Sequence, residues 1–277
     1  MVKNLLSRAL NKLGGKQKGP YARINDDGYM TFIDPSYVEM DNAGIPIVHY
    51  GGSIGDRRNP VFVCMAALEY SKDTSKNQQL LNNADWLIAN ARLNGDFSLL
   101  EYDFPWHRYN LSSPPWRSAM AQGLALQVMA RAHQITSNQR YLDAGKLLLN
   151  AFYVEVKDGG ITYKSDHGWW YEEYAHEKAS VSRVLNGMMY AVLGLYEFYQ
   201  YTKDPNAKML FDRGIAELKA NIASYDNDGY SYYDILGKEA GEKYHKVHVI
   251  FAKRLYEITK EEIFNTYYQK WKAWKFK

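Results

Sequence analysis

Three threonines, Thr136, Thr202 and Thr259, hold equivalent places in the chain, 66 and 57 residues apart. Each closes a long apolar-periodic segment and precedes a polar turn and a second helical segment, as in "HQITSNQRYLDAGKLLL", "YQYTKDPNAKMLFDRGIAEL" and "YEITKEEIFNTYYQKWKAW". A further copy, "YSKDTSKNQQLLNNADWL", comes before them. One helical hairpin cannot bury its own apolar face, so such pairs repeat and pack on one another. Apolar residues recurring at three- and four-residue steps predict helix over 118–135 and 185–201. The first helix of each pair is the more apolar, and the second carries Lys, Asp and Arg on one side. An inner ring of apolar helices inside an outer ring of amphipathic ones gives a mainly α fold, an α/α toroid or incomplete barrel of about four hairpins. An open solenoid is the rival, but the signature residues of tetratricopeptide and ankyrin units are absent and the period is longer.

Residues 21–52 read differently. Asp27-Gly28 between "YARI" and "YMTFI" signals a β-hairpin, and "DNAG" before "IPIVHY" a second turn. The expected organisation is an N-terminal helix and small β-segment over 1–52, then a toroid over 53–277. Three long connections, 93–115, 153–182 and 225–243, each join an outer helix to the next inner one, which brings all three to one rim. Loops of this length in a compact domain are usually functional or disordered, and their aromatic content favours function.

A formal charge of +3 gives no reason to expect a nucleic-acid partner and leaves room for a mildly basic cleft for an acidic substrate. The single Cys64 excludes an internal disulfide, and no Cys/His cluster has zinc-ligand spacing. No apolar run of about 18 residues could span a membrane, and the first residues lack a signal-peptide core, so a cytoplasmic location is expected. Leu5, Leu6, Ala9, Leu10 and Leu13 could give residues 1–14 one apolar face, suited to docking on the protein or a membrane surface. Aromatic residues make up 15% of the chain, and their flat apolar faces and polar edges suit both cores and sugar stacking.

The rim loops hold the residues that could carry chemistry: "SPPWRSAMAQG" with Trp116, Arg117 and Gln122; "HGWWYEEY" with Trp170, Glu173 and Tyr174, followed by Asn186; and "YDNDGYSYYDI" and "EKYHKVH" with Tyr233, Tyr244 and His245. "WLIANARLNG", "WRSAMAQG", "HGWWYEEY", "VLNGMMYAVLGLYE", "YYDI" and "YHKVH" occur in the order seen in the C-terminal domain of D-glucuronyl C5-epimerases, and from about Asn83 onward the chain resembles that family. The resemblance is to its compact prokaryotic members. It implies inversion at C5 of glucuronic acid units in a polysaccharide to give iduronic acid, with no nucleotide or redox cofactor. It also implies that Tyr174, Tyr233 and Tyr244 act as acid/base groups, that Glu173 and Asn186 share their site, and, from the dimers of the animal relatives, that a homodimer can form.

These residue types suit that chemistry. Removing the C5 hydrogen leaves a carbanion delocalised into the adjacent carboxylate, so the reaction needs a base on one face, an acid on the other and stabilisation of negative charge. A phenol of reference pKa about 10 is a poor base at neutral pH without a cation or hydrogen bond beside it. The animal enzymes read YDLR after the tyrosine, whereas here Leu236 stands where that arginine would be. Arg117, Arg183, Lys238, Lys246 and His245 are the candidate cations. Trp116, Trp170 and Gln122 join the candidate substrate-binding residues, although Trp170 could equally be a core residue and "SAMAQG" suits close helix packing. A polysaccharide lyase begins with the same proton abstraction, a hydrolase would want two carboxyl groups about 5–9.5 Å apart, and a glycan-binding helical module would use the aromatics without catalysis.

Overall fold

A computed structural model describes residues 21–275. The four helical pairs are α1 (Pro60–Tyr70) with α2 (Asn77–Asn90), α3 (Ala119–Thr136) with α4 (Arg140–Asn150), α5 (Leu185–Thr202) with α6 (Pro205–Asn221), and α7 (Gly241–Thr259) with α8 (Glu262–Lys272). Helices α1, α3 and α5 are buried along most of their length, whereas α2, α4, α6 and α8 bury one side. Each pair packs internally, and α1, α3, α5 and α7 pack successively on one another as the inner ring. This is the expected α/α toroid. The amphipathic segment expected at residues 1–14 lies outside the described residues.

The repeated threonines are helix-ending devices. Thr136, Thr202 and Thr259 Oγ1 donate to the carbonyls of Ala132, Phe198 and Leu255 at 2.7–2.8 Å. Each also accepts, at 3.2 Å, the backbone N–H two residues on, from Asn138, Asp204 and Glu261 respectively. The residue between, Ser137, Lys203 or Lys260, takes a left-handed conformation with φ of 55–61° and returns its N–H to the last turn. The side chain thus competes with helical continuation and pairs carbonyls and N–H groups that the helix end would leave open.

Small residues set the ring's spacing. A β-carbon on Gly123 of α3 would lie 2.6 Å from Ala191 Cα, and one on Gly194 of α5 would meet the Gly123 backbone. The two helices touch backbone to backbone there, as the "SAMAQG" composition implies.

The N-terminal segment fills the gap between the last and first inner helices. Strands β1 (Ala22–Ile24) and β2 (Met30–Phe32) pair antiparallel, with β1 against α7 and β2 against α1. Gly28 turns the hairpin with φ +85°, and its carbonyl accepts a hydrogen bond from Tyr190 Oη of α5. Phe32 stacks on Phe62 of α1 at 4.9 Å. Strands β3 (Val38–Met40), β4 (Pro46–His49) and β5 (Asp56–Arg57) form a second sheet. Ala22, Ile24, Met30, Val38 and Val48 belong to the same buried core as the ring.

The long connections also carry strands: β6 (Ala91–Asn94), β7 (Phe97–Tyr102) and β8 (Trp116–Arg117), then the hairpin β9 (Thr162–Lys164) and β10 (Trp169–Tyr171), then β11 (Asp226–Asn227) and β12 (Tyr230–Ser231). The aromatic run at Trp169, which shows no periodicity in the sequence, is therefore a short strand. Backbone bonds knit the connections together: Arg117 and Ala175 exchange both N–H···O bonds at 2.9 Å, and Ala119 N donates to Glu172 O at 2.9 Å. Leu185 N donates to Tyr233 O, also at 2.9 Å. The three connections thus meet at one rim.

Candidate active site

A cleft of about 390 Å³ lies at this rim. Tyr102, Phe104, Trp106 and Trp116 from the first connection form one wall, and Tyr21, Met30, Tyr37 and Tyr50 from the N-terminal segment another. Trp116 stacks on Tyr102 at 3.8 Å and anchors its indole N–H on Phe104 O, and the almost wholly buried pair makes that wall rigid. The polar side is made by Glu173, Tyr174, Asn186, Tyr233, Lys243 and Tyr244. Among the described residues, the buried Trp106 Nε1 and Asn186 Oδ1 have no protein partner, and both residues line the cleft. An apolar wall with a few convergent polar groups is the usual make-up of a small-ligand site. A second cavity of about 440 Å³ lies over the ion pairs of Glu197 with Arg254 and Arg131. Its charges are matched with one another, and none of the candidate residues lines it.

Glu173 and Tyr174 follow β10 in a segment held from behind by Glu172. The buried Glu172 carboxylate accepts from Ser182 Oγ at 2.8 Å and Arg183 N at 3.0 Å, which pins the chain between β10 and α5. Glu173 then turns into the cleft against the first turn of α5. Asn186 Nδ2 donates to its Oε2 at 3.3 Å. Burial, with the charge of Glu172 behind it, pushes the Glu173 carboxyl from the usual 4.5 up to about 8, against the lowering effect of hydrogen bonds from Tyr174 and Asn186 and the charge of Arg108. Tyr174 Oη lies 3.3 Å from Tyr233 Oη. Tyr174 thus stands between Glu173 and Tyr233, and either hydroxyl of the Tyr174–Tyr233 pair can donate.

Tyr233 is placed by the turn after β12, where Asp234 Oδ1 accepts from Leu236 N and Lys238 N at 3.0 and 3.1 Å and Oδ2 accepts from Tyr109 Oη at 2.6 Å. Tyr244, in the first turn of α7, packs its ring 4.9 Å from that of Tyr233. Burial drives all three phenols well above the ordinary value of 10, so each stays protonated at neutral pH. They are proton donors unless a cation intervenes.

Two cations line the cleft, Arg108 and Lys243. Neither is among the candidates the sequence singles out, and those candidates lie elsewhere. Arg117 is buried against Glu177 at 2.7 Å, outside the cleft. Arg183 faces Glu217 at 3.6 Å, and Lys246 donates to Ile24 O at 2.9 Å. Lys238 sits over the Tyr233 ring at 5.4 Å without forming part of the cleft wall. His245, next to Tyr244, is buried between β12 and α8, with Nδ1 2.8 Å from Ser231 Oγ and Nε2 3.0 Å from Trp271 O. On a helix, adjacent residues point in different directions, and here Tyr244 takes the cleft and His245 the core.

Two further candidates are structural. Gln122 is fully buried, accepting from Leu100 N at 2.8 Å and donating to Ser98 O at 3.0 Å and Leu148 O at 3.1 Å, so it ties α3 to β7 and α4. Trp170 is fully buried and stacks on Tyr225 at 5.9 Å, while Trp169 lies under Lys164 and Arg213 on the outer side. Trp116 alone of the candidate tryptophans faces the cleft. Among the described residues, no group of three or more His, Cys, Asp or Glu side chains is arranged to hold a metal ion, and no helix is long and apolar enough to cross a membrane.

Solved structures with similar folds include a GH76 alpha-mannanase of Bacteroides thetaiotaomicron, with 15% identity, a TM-score of 0.54 and coverage of 98% of this chain and 66% of that one. Another is the unsaturated glucuronyl hydrolase of Bacillus sp. GL1, with 15% identity, a TM-score of 0.50 and coverage of 77% and 59%. At such identities the likeness concerns the fold. In sequence, an uncharacterized protein of Methanocaldococcus jannaschii is 31% identical over 87% of this chain and 86% of its own length. The D-glucuronyl C5-epimerase of Caenorhabditis elegans is 30% identical over 68% of this chain, a stretch that spans 33% of the worm protein. The family model described as the D-glucuronyl C5-epimerase C-terminus matches residues 94–273, which include β7, β8 and every helix from α3 to α8, and to that family this chain belongs.

Proposed function

We propose that this chain inverts C5 of uronic acid units within an acidic polysaccharide, converting D-glucuronate to L-iduronate in a heparosan-like chain. The observation that carries the reading is the grouping, in one aromatic-walled cleft, of a carboxyl group pushed up to about 8 with the buried phenol of Tyr233, the half-buried phenols of Tyr174 and Tyr244, and two cations. A general base works best when its pKa lies near the working pH, and Glu173 meets that condition better than any of the tyrosines.

In the forward direction ionised Glu173 takes the C5 hydrogen as a proton. The electron pair passes into the adjacent carboxylate, where Arg108 balances the added charge and the Tyr233–Tyr174 chain supports Glu173. Tyr244 then gives its proton to C5 from the opposite face, which inverts the centre. One proton leaves and one arrives, with no net electron transfer, so the chemistry calls for no redox cofactor. Trp106, Tyr37 and Tyr50, which line the cleft and stay partly exposed, offer aromatic surface for the sugar ring or its neighbours. Catalysis by the tyrosines, uptake of a polymer and assembly as a homodimer all form part of this proposal.

The test is product analysis by NMR after incubation with heparosan. Iduronate in chains of unchanged length is the expected result. Unsaturated ends would show a lyase, new reducing ends a hydrolase, and bound but unaltered polymer a glycan-binding module; each of these outcomes overturns the epimerase reading.

A further inference from the structure

Lys243 is the second residue of α7's first two turns to face the cleft together with Tyr244, and its surroundings are unusual for a lysine. Its Nζ donates to Tyr21 Oη at 2.7 Å, 4.1 Å from the Tyr21 ring centroid and 5.1 Å from that of Tyr244. The hydroxyls of Tyr21 and Tyr244 are hydrogen-bonding neighbours. All three side chains line the cleft. Among the described residues no carboxylate pairs with Lys243, and burial is the one influence that moves it, lowering it from 10.5 to about 8. The titratable groups around this cluster are Tyr37 from the N-terminal segment, Glu173, Tyr174, Tyr233 and Arg108 from the rim connections, and Tyr190 from α5.

A half-buried ammonium without a counter-ion is held at a cost, and a lysine so placed exchanges its proton readily near neutral pH. We propose that Lys243 and Tyr21 form a proton relay behind Tyr244, serving the reacting phenol rather than the substrate. The inference rests on the epimerase reading. When Tyr244 has given its proton to C5 it is a phenolate. Tyr21 passes its hydroxyl proton to Tyr244 Oη and takes one from the Lys243 ammonium, so both phenols end neutral and Lys243 ends as the amine. Water reprotonates the amine as Glu173 releases the proton it took, which balances the cycle. Tyr21 lies outside the stretch 94–273 that matches the family, so the N-terminal hairpin contributes to the chemistry as well as to the closure of the ring.

The experiment compares Tyr21→Phe, Lys243→Met and Lys243→Arg with the unaltered chain on heparosan, measuring kcat and KM across pH and C5 exchange in D2O. Tyr21→Phe deletes one oxygen and leaves the packing intact, so it reports on the relay even if Lys243→Met unfolds. The relay predicts a fall in kcat of about 100-fold or more for all three variants, with KM within about threefold and the alkaline limb of the profile removed. Full rates in Tyr21→Phe overturn it. So does restored activity in Lys243→Arg, whose guanidinium keeps the charge but cannot give up a proton; so does a rise in KM with kcat unchanged, which would make Lys243 a substrate anchor. If the unaltered chain exchanges no C5 hydrogen, the epimerase reading itself fails and the relay with it.

Discussion

Gly187 stands against Glu173 so closely that a β-carbon on it would lie 2.6 Å from Glu173 Cβ and closer still to the carboxylate oxygen. Asn186 bonds that carboxylate and Gly187 makes room for it, so "LNG" at the start of α5 is the seat of Glu173. Gly187→Ala should therefore reduce kcat by about 100-fold, the scale on which a misplacement near 1 Å is felt. Alanine's better helix propensity, about 1 kcal/mol, opposes the overpacking. Circular dichroism is expected to show a folded chain whose melting temperature has moved by only a few degrees.

Glu173→Gln removes the proposed base while keeping its shape, and should cost about 10²–10⁴ in kcat. In the unaltered enzyme the forward rate should rise with pH as Glu173 ionises through about 8 and fall as Lys243 loses its proton near the same value. The profile is then a narrow bell centred near pH 8. Stability carries a separate signature. Between about 4.5 and 8 the folded chain keeps a proton on Glu173 that the unfolded chain has released, so this residue's contribution falls as pH rises through that window. Chemical denaturation of Glu173→Gln at several pH values should show the slope reduced, with the variant gaining on the parent toward pH 8.

Gln122 belongs to the scaffold rather than to substrate binding. Gln122→Ala strips Leu100 N, Ser98 O and Leu148 O of a buried partner and should destabilise the chain by roughly 3 kcal/mol or more, the sum of several unsatisfied groups. The fraction that remains folded should keep the parent KM, measured below the transition temperature. A large rise in KM with normal stability would return Gln122 to the site.

Thr202→Val tests the helix-ending repeat. It deletes the bond to Phe198 O and the acceptor for Asp204 N while preserving volume. The expected loss is about 1 kcal/mol, read calorimetrically as a drop in melting temperature of about 2–4 °C, with kcat unchanged.

The ring was legible because its cause is periodic. Apolar steps marked the inner helices, and the threonines at matching places turned out to share one hydrogen-bonding scheme. Asp27-Gly28 likewise announced its hairpin through a local conformational need. The site was legible in part: Tyr174, Tyr233, Asn186, Tyr244 and Glu173 do meet at one cleft, because every long connection rises to the same rim. What stayed hidden depended on direction and burial. Trp169 and Trp170 differ by one position on a strand, and the pleat sends one out and the other into the core. Lys243 looks in sequence like any charged residue in a helix's first turn, and its burial arises from Tyr21, more than 200 residues away. Arg108 lies in an irregular loop with Tyr109 and Asn110 at positive φ, where no pattern tells which side chain turns inward. His245 drew notice beside Tyr244, but helical geometry divides neighbours between cleft and core.

The proposed activity of this cleft is to remove and return the hydrogen at C5 of a uronate unit. The most direct measurement is deuterium incorporation at C5 of heparosan in D2O, followed by NMR with the unaltered chain and with Glu173→Gln. The expected result is deuterium at C5 of both glucuronate and iduronate units, in chains of unchanged length, and about 100-fold slower incorporation in the variant. Absence of deuterium at C5 under conditions where the polymer binds, or incorporation at the parent rate in Glu173→Gln, would contradict it.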